Sequence, residues 1–283
     1  MLTRPRTGFT LAEVMVALTL TLMVAGTLYR LLVTTQRTTR AQAQRIELQS
    51  SLRAGALIVL SELRELSAVA GGTGAQNDIL TAGATGLVYR AMRGMGFVCA
   101  TPSATSIRIA RNSFTGVRDP QADRDESLVF MEDRAAAGVN DIWQAMKIVS
   151  VATSAACPGA LGPGITLTLP AGPSVAGLEP GTPVRITELM ELRLYQSEGK
   201  SWLGARSVAS GEAIQPLVGP LSARDGFRLE YLDPSGAPTA DRTGTTSMRI
   251  ALRGTTEGGG TGSDAPVEEE LLGQVVLRNA VGP

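Results

Sequence analysis

Glu13 is the one charged residue in an apolar run covering residues 9–29 of this 283-residue chain. A carboxylate well inside a spanning helix costs about 2.5–3.5 kcal/mol on insertion scales, so it is normally paired and functional. No Lys or Arg stands three or four residues away to pair with it within the helix, and its partner is therefore expected from another chain. Other reactive-looking groups carry less. Ser197 and Lys200 have the S-x-x-K spacing of serine/lysine acyl enzymes, a chemistry that needs the first turn of a buried helix. Here "SEGK" joins two strand patterns, "LRLYQ" and "SWLGARSV", and a hairpin turn is expected instead. "AVAGGTGAQ" and "EGGGTGSD" contain no GK[ST] and do not link a strand to a helix, so they read as loops without a nucleotide site. Asp119, Asp123, Asp125 and Glu126 gather in "RDPQADRDES", but Arg118 and Arg124 interleave them and the spacing is not that of an EF-hand. A solvated loop is expected there, as for Glu268, Glu269 and Glu270.

Composition narrows the chemistry further. The chain has no histidine, which removes Ser-His-Asp and Cys-His mechanisms and the HExxH zinc helix together. No catalytic residue, cofactor or metal site is expected, and an enzymatic role is not. Cys99 and Cys157 are the only cysteines. Alone they cannot hold zinc, which leaves one disulfide or two buried thiols. The 26 basic and 26 acidic residues cancel, and no basic block suggests a nucleic-acid surface. Aromatic residues make up 4% of the chain; Trp143 and Trp202 fall in strand patterns where core packing accounts for them.

The elements that position these groups start at the N-terminus. The 21 residues from 9 to 29 would form a helix about 31 Å long, the thickness of a bilayer's hydrocarbon core. Arg4 and Arg6 precede it, which by the positive-inside tendency keeps the N-terminus cytoplasmic and sends the remainder across an inner membrane. A cleaved secretory signal fits less well, because the apolar stretch is long, no A-x-A-like site follows it, and an acid lies inside it. With the large domain outside the cytoplasm, a Cys99–Cys157 disulfide is favoured over free thiols.

At this point the residues resemble a known family. "GFTLAEVMVAL", residues 8 to 18, is similar to the N-terminal motif of type IV prepilins and of the pseudopilins of type II secretion. The resemblance implies that Gly8 ends a leader, that prepilin peptidase cuts between Gly8 and Phe9 and methylates the new amine, and that Glu13 pairs with the Phe9 amine of a neighbouring subunit. A cation meeting the carboxylate in a low-dielectric environment makes its burial tolerable. One departure is Arg30, where many major pilins carry a proline, so no helix kink is carried over.

Beyond the membrane the helix is expected to continue. Leu52, Ala56, Val59, Leu63, Leu66 and Ala70 recur at spacings of four and three on one face, and Gly71 or Gly72 is a plausible C-cap. From about Ile107 the period changes to two, in "SIRIA", "SLVFM", "AMKIVSV", "GITLTLP", "PVRITELMELRLYQ", "SWLGARSV", "FRLEYLD", "SMRIALRG" and "LLGQVVLRN". Residues 71–86 and 254–267 read as loops. The expected fold class is α+β: a long N-terminal helix, its first half transmembrane, packed on a mainly antiparallel β domain of pilin-like kind. The divisions are 1–8 leader, 9–35 membrane or filament-core helix, 36–70 amphipathic helix, and 71–283 extracytoplasmic β-rich domain.

The resemblance and the size of the chain together point to a minor subunit of a type IV pilus, at the tip or in initiation. The alternatives are a minor pseudopilin of type II secretion and, from another class, a membrane-anchored ligand-binding or adhesin domain. Expected partners are prepilin peptidase, other pilin or pseudopilin subunits, the inner-membrane assembly platform, and membrane lipid before assembly; nucleic acid is not among them.

Overall fold

A computed structural model describes residues 8–68, 77–132, 141–159, 162–256 and 266–278. The leader arginines Arg4 and Arg6, the residues expected to end the helix at Ala70 to Gly72, and most of the glycine-rich stretch at 254–267 lie outside the described residues. One long helix, α1, covers Leu11–Arg64. Among the described residues it is followed by fourteen strands: β1 (Ile79–Gly83), β2 (Gly86–Ser103), β3 (Ser106–Ala110), β4 (Thr115–Gly116), β5 (Asp125–Met131), β6 (Ile142–Lys147), β7 (Ser150–Ala152), β8 (Gly164–Thr168), β9 (Pro183–Ser197), β10 (Lys200–Ser207), β11 (Gln215–Leu221), β12 (Phe227–Leu232), β13 (Ser247–Thr255) and β14 (Glu268–Val276). Every pairing is antiparallel. The class is α+β, with one long N-terminal helix on a large antiparallel sheet.

The chain divides into two units, one holding α1 up to Glu47, the other running from Leu48 to Thr255 and including β14. In the second unit Leu48, Leu52, Gly55, Ala56, Val59 and Leu63 form the buried face of α1. They join one hydrophobic core with Leu203, Val218, Phe227, Ile250, Leu252 and Val275 from the sheet. Close approach requires a glycine at 55, because a Cβ there would fall inside the Val218 side chain. A second core lies between β3, β8, β5 and β9 and gathers Ile107, Ile109, Ile165, Leu167, Val129 and Ile186. The long strands β2 and β9 pair from Gly86↔Arg193 to Phe97↔Pro183 and supply residues to both cores.

Four expectations need correcting. The helix ends at Arg64, six residues early, although Leu66 is fully buried as its place in the stripe requires. Asp78 captures the chain there: the Ser67 N–H donates to Asp78 Oδ2 at 2.8 Å and the Asp78 N–H donates to Ser67 O at 2.8 Å. Residues 79–86, read as loop, hold β1 and the start of β2. Trp143 and Trp202 are half-buried rather than core residues, because the alternation turns Leu203 inward and its neighbour Trp202 outward. Trp143 stacks edge-on against Phe130 at 5.5 Å with the Arg185 guanidinium 5.8 Å from its ring.

The acidic stretch at 119–126 is also not uniformly solvated. Asp119 and Asp123 are exposed, but the Asp125 side chain is fully buried and takes both of its oxygens to Arg118, at 2.6 and 2.7 Å. Beside it Glu188 on β9, 2% exposed, accepts from Arg93 at 2.7 Å, from Arg118 at 3.2 Å and from Arg124. Arg93 reaches on to Glu62 of α1 at 3.2 Å. This network ties helix, sheet and the loop before β5 together. Burial raises the Glu188 pKa, but the hydrogen bonds from Arg93 and Arg124 outweigh it and hold the carboxyl at about 2, against an ordinary value of 4.5. A depressed folded-state pKa contributes stability that is present above the unfolded value and lost as pH falls through the folded one. We expect this contribution to disappear between about pH 5 and pH 2. Glu188→Gln should cost about 3 kcal/mol at neutral pH, because three guanidinium groups lose their shared anion, and should flatten the acid limb of the denaturation profile. Urea unfolding of both forms across that range checks it; an unchanged acid limb would assign the pH dependence elsewhere.

"SEGK" forms the turn between β9 and β10, with Ser197 opposite Lys200. Glu198 (φ 52°) and Gly199 (φ 74°) are both left-handed, as a two-residue type I′ loop demands. Among the described residues no group of three His, Cys, Asp or Glu is placed to hold a metal.

Candidate functional site

Gly8, Phe9 and Thr10 precede α1, which begins at Leu11. Phe9 is 89% exposed. A Cβ added at Gly8 would meet nothing within 4 Å, so among the described residues no packing demands a glycine there.

Glu13 is held locally. Thr10 is the N-cap of α1 and Glu13 is the third helical residue. The Glu13 N–H donates to Thr10 Oγ1 at 3.3 Å, while Glu13 Oε2 accepts from the Thr10 N–H at 2.9 Å and from the Thr10 hydroxyl at 3.0 Å. This is a capping box, which satisfies two of the amides that a helix start leaves without partners. The negative charge in the first turn also complements the helix dipole. Thr10 was not among the residues singled out from the sequence, although the T-x-x-E spacing preceding an apolar run carries the signal. The box occupies one carboxylate oxygen, Oε2, and leaves Glu13 exposed at the helix start.

After the box the first part of the helix is apolar and exposed. One window in it is long and apolar enough to cross a membrane, and none of that window is buried. Its side chains Leu11, Met15, Leu18, Leu22, Leu28 and Leu32 are all more than half exposed. Threonines interrupt the run without leaving free hydroxyls: Thr19, Thr21 and Thr27 donate to the carbonyls of Val16, Ala17 and Val24 at 2.7–2.9 Å. Internal satisfaction of this kind is what a hydrocarbon environment requires of any polar group. Thr34, Thr35 and Thr38 repeat the device further along the helix, donating to the carbonyls of Arg30, Leu31 and Thr34.

Cys99 and Cys157 lie in the other unit and form a disulfide, with Cα atoms 5.8 Å apart and a sequence separation of 58. The bond joins β2 to the segment entering β8. Both sulfurs are buried, next to Ala110 of β3. The Cys157 N–H donates to Gly162 O at 2.8 Å, and Gly164 leaves room for the Cys157 sulfur, which a Cβ there would approach to 3.1 Å.

Residues 3–29 match the family model described as the prokaryotic N-terminal methylation motif. The chain therefore carries the type IV prepilin-like signal, and that signal supports a type IV pilin-like or pseudopilin protein. It implies processing by prepilin peptidase and assembly with other pilin subunits, and with the apolar helix it fits a membrane-anchored precursor. No curated protein and no solved structure matches the chain.

Proposed function

We propose, taking the prepilin-like signal as the premise, that this chain is a minor subunit of a type IV pilus, used at the tip or in initiation. Prepilin peptidase cuts after Gly8 and methylates the Phe9 amine. Before assembly the helix lies in the inner membrane with its N-terminus cytoplasmic and the β domain outside, and an inner-membrane platform then moves it from lipid into the filament. The observation that carries this reading is the methylation motif at residues 3–29, placed on α1, whose membrane-length apolar window is left unburied. Such a surface needs lipid or other helices around it.

In the filament Glu13 receives the Phe9 amine of a neighbouring subunit. Its exposure at the helix start supports that role, since a second donor can reach the carboxylate while the capping box keeps the side chain in place. The bulk of the β domain supports rare use, because a major subunit must repeat at high density along the fibre. The chain acts by assembly and carries out no reaction of its own.

The test is the mass of the N-terminal peptide isolated from native membranes. A peptide starting at N-methylated Phe9 is the expected result, while an intact Met1 or cleavage near Gly26 would leave an ordinary anchor or signal. If the processed chain is missing from surface pili but needed for exoprotein release, a minor pseudopilin of type II secretion replaces the pilus reading. A subunit dominating purified pili would overturn "minor".

A further inference from the structure

Tyr195 and Trp202 are directly opposite each other across β9 and β10. Both are half-buried and belong to the wall of an open cleft of about 780 Å³, together with Arg193, Gln196, Glu198 and Pro216. Each aromatic ring has a glycine as its floor. A Cβ at Gly204 would come within 2.5 Å of Tyr195 Cε1, and one at Gly219 within 2.5 Å of Trp202 Cε3 and 2.9 Å of Cδ2. Both rings thus approach the sheet closely where glycine leaves room, and both side chains stay partly exposed along the cleft. Among the described residues neither the Tyr195 hydroxyl nor the Trp202 indole N–H has a hydrogen-bond partner. Glu198 completes the rim from the left-handed turn position, φ 52°, where Asn, Asp or Gly is the usual occupant.

From this geometry we infer a carbohydrate-binding site, taking an oligosaccharide of β-linked pyranose rings. The flat C–H face of such a sugar stacks on an aromatic ring, while its equatorial hydroxyls spread sideways to planar polar groups. Two aromatic faces on adjacent strands hold one chain at two rings. Gln196, Arg193 and Glu198 offer the amide, guanidinium and carboxylate that pair with hydroxyls, and the Tyr195 and Trp202 tips add two donors. Single-stranded nucleic acid also stacks on aromatics, but its backbone wants a basic track, and here the Arg193 guanidinium is paired with Glu191 at 3.5 Å while Glu198 adds a further negative charge to the rim. Proline-rich peptides dock in aromatic-lined grooves; the amide, guanidinium and carboxylate on this rim suit hydroxyls better than a peptide without polar side chains, and the titration below includes such a peptide. This site is independent of the assembly reading, and its test uses unassembled protein.

The experiment is a titration of the full chain, held in a detergent without a sugar headgroup, with cellohexaose and with the β-1,4-linked hexamer of N-acetylglucosamine. The chain has two tryptophans, so a Trp143→Phe background leaves Trp202 as the reporter. A saturable shift in Trp202 emission with a sub-millimolar dissociation constant is expected for at least one hexamer. Tyr195→Ala should weaken binding about tenfold, the scale of one stacking contact, and Tyr195→Phe, which keeps the ring, should stay within about threefold of the parent. Should Tyr195→Ala fail to fold, Trp202→Ala read by calorimetric titration carries the same expectation of about tenfold loss. No saturable response to either sugar overturns the inference. So does unchanged affinity on removing a ring, equal loss in Tyr195→Phe and Tyr195→Ala, or tighter binding of oligo-dT or a proline-rich peptide.

Discussion

Glu13→Gln is expected to keep the globular unit folded and the chain inserted, yet to cut its incorporation into filaments by a factor of about a hundred. The carboxylate has two separable roles in the proposed function. Within the chain it closes a capping box with Thr10, worth about 1 kcal/mol to the helix start. Between chains it neutralises a buried amine, and removing one member of a buried ion pair costs about 3 kcal/mol or more, because the other is left uncompensated; that is a factor of about a hundred. Glutamine keeps an oxygen that accepts from the Thr10 amide and loses only the charge. Thr10→Val is the complementary change, which removes the hydroxyl and leaves the charge. If the ion pair governs assembly, Glu13→Gln fails and Thr10→Val assembles nearly as well as the parent. The reverse ranking, scored by immunoblot of sheared filaments against total membrane protein, would reduce Glu13 to a helix cap and remove the intersubunit role.

The second large effect concerns the disulfide. Replacing Cys99 and Cys157 together by serine should destabilise the β-rich unit by about 4 kcal/mol, the chain-entropy value for a loop closed across 58 residues. For a unit of this size that lowers the melting temperature by roughly 10 °C. The strands it joins border the second core, with Val98 and Ile109 beside Cys99 and Ala110, so the loss should fall first on β3, β7 and β8. Hydrogen exchange of the serine variant is expected to show those amides opening while the amides of β12 to β14 remain protected. Uniform loss of protection would mean that the two cores unfold as one, and an unchanged melting temperature would remove the entropic account.

How much of this was legible depended on whether one residue's neighbours in sequence were also its neighbours in space. β3, β9, β10, β12 and β13 alternate because one face of each meets a core, and "SIRIA" is β3 residue for residue. β2 was not legible, though it is the longest strand. Gly94 and Gly96 interrupt its alternation, and their purpose, space for the Phe114 ring and the Ile109 side chain, comes from segments folded back later in the chain. The helix stripe was correct in burial as far as Leu66 but not in conformation, because an apolar period does not encode the Ser67 and Asp78 bonds that end the helix. Interleaved arginines make the stretch around Asp125 read as solvated; its burial follows from Arg118 and Glu188, the second of which is 63 positions away in sequence. At the candidate site the opposite holds. Gly8, Phe9 and Glu13 form a local motif, and so does Thr10 with Glu13, whose spacing was available but was overshadowed by the cost of the charge.

The clasp between the end of α1 and the end of β14 has a consequence for when this protein can fold. The Arg278 N–H donates to Arg64 O at 3.1 Å, and its guanidinium pairs with Glu65 at 2.6 Å, a contact spanning 213 positions. Val275 and Leu277 complete the same core that receives Leu48 to Leu63. The earliest part of this unit to be synthesised therefore has no finished surface to rest on until the last strand arrives, and closure over such a span is entropically slow. A nascent chain crossing the membrane by the proposed route would therefore lack its finished core until nearly all of it has emerged. On the proposed route, that order of export would delay folding to the side of the membrane where the disulfide forms.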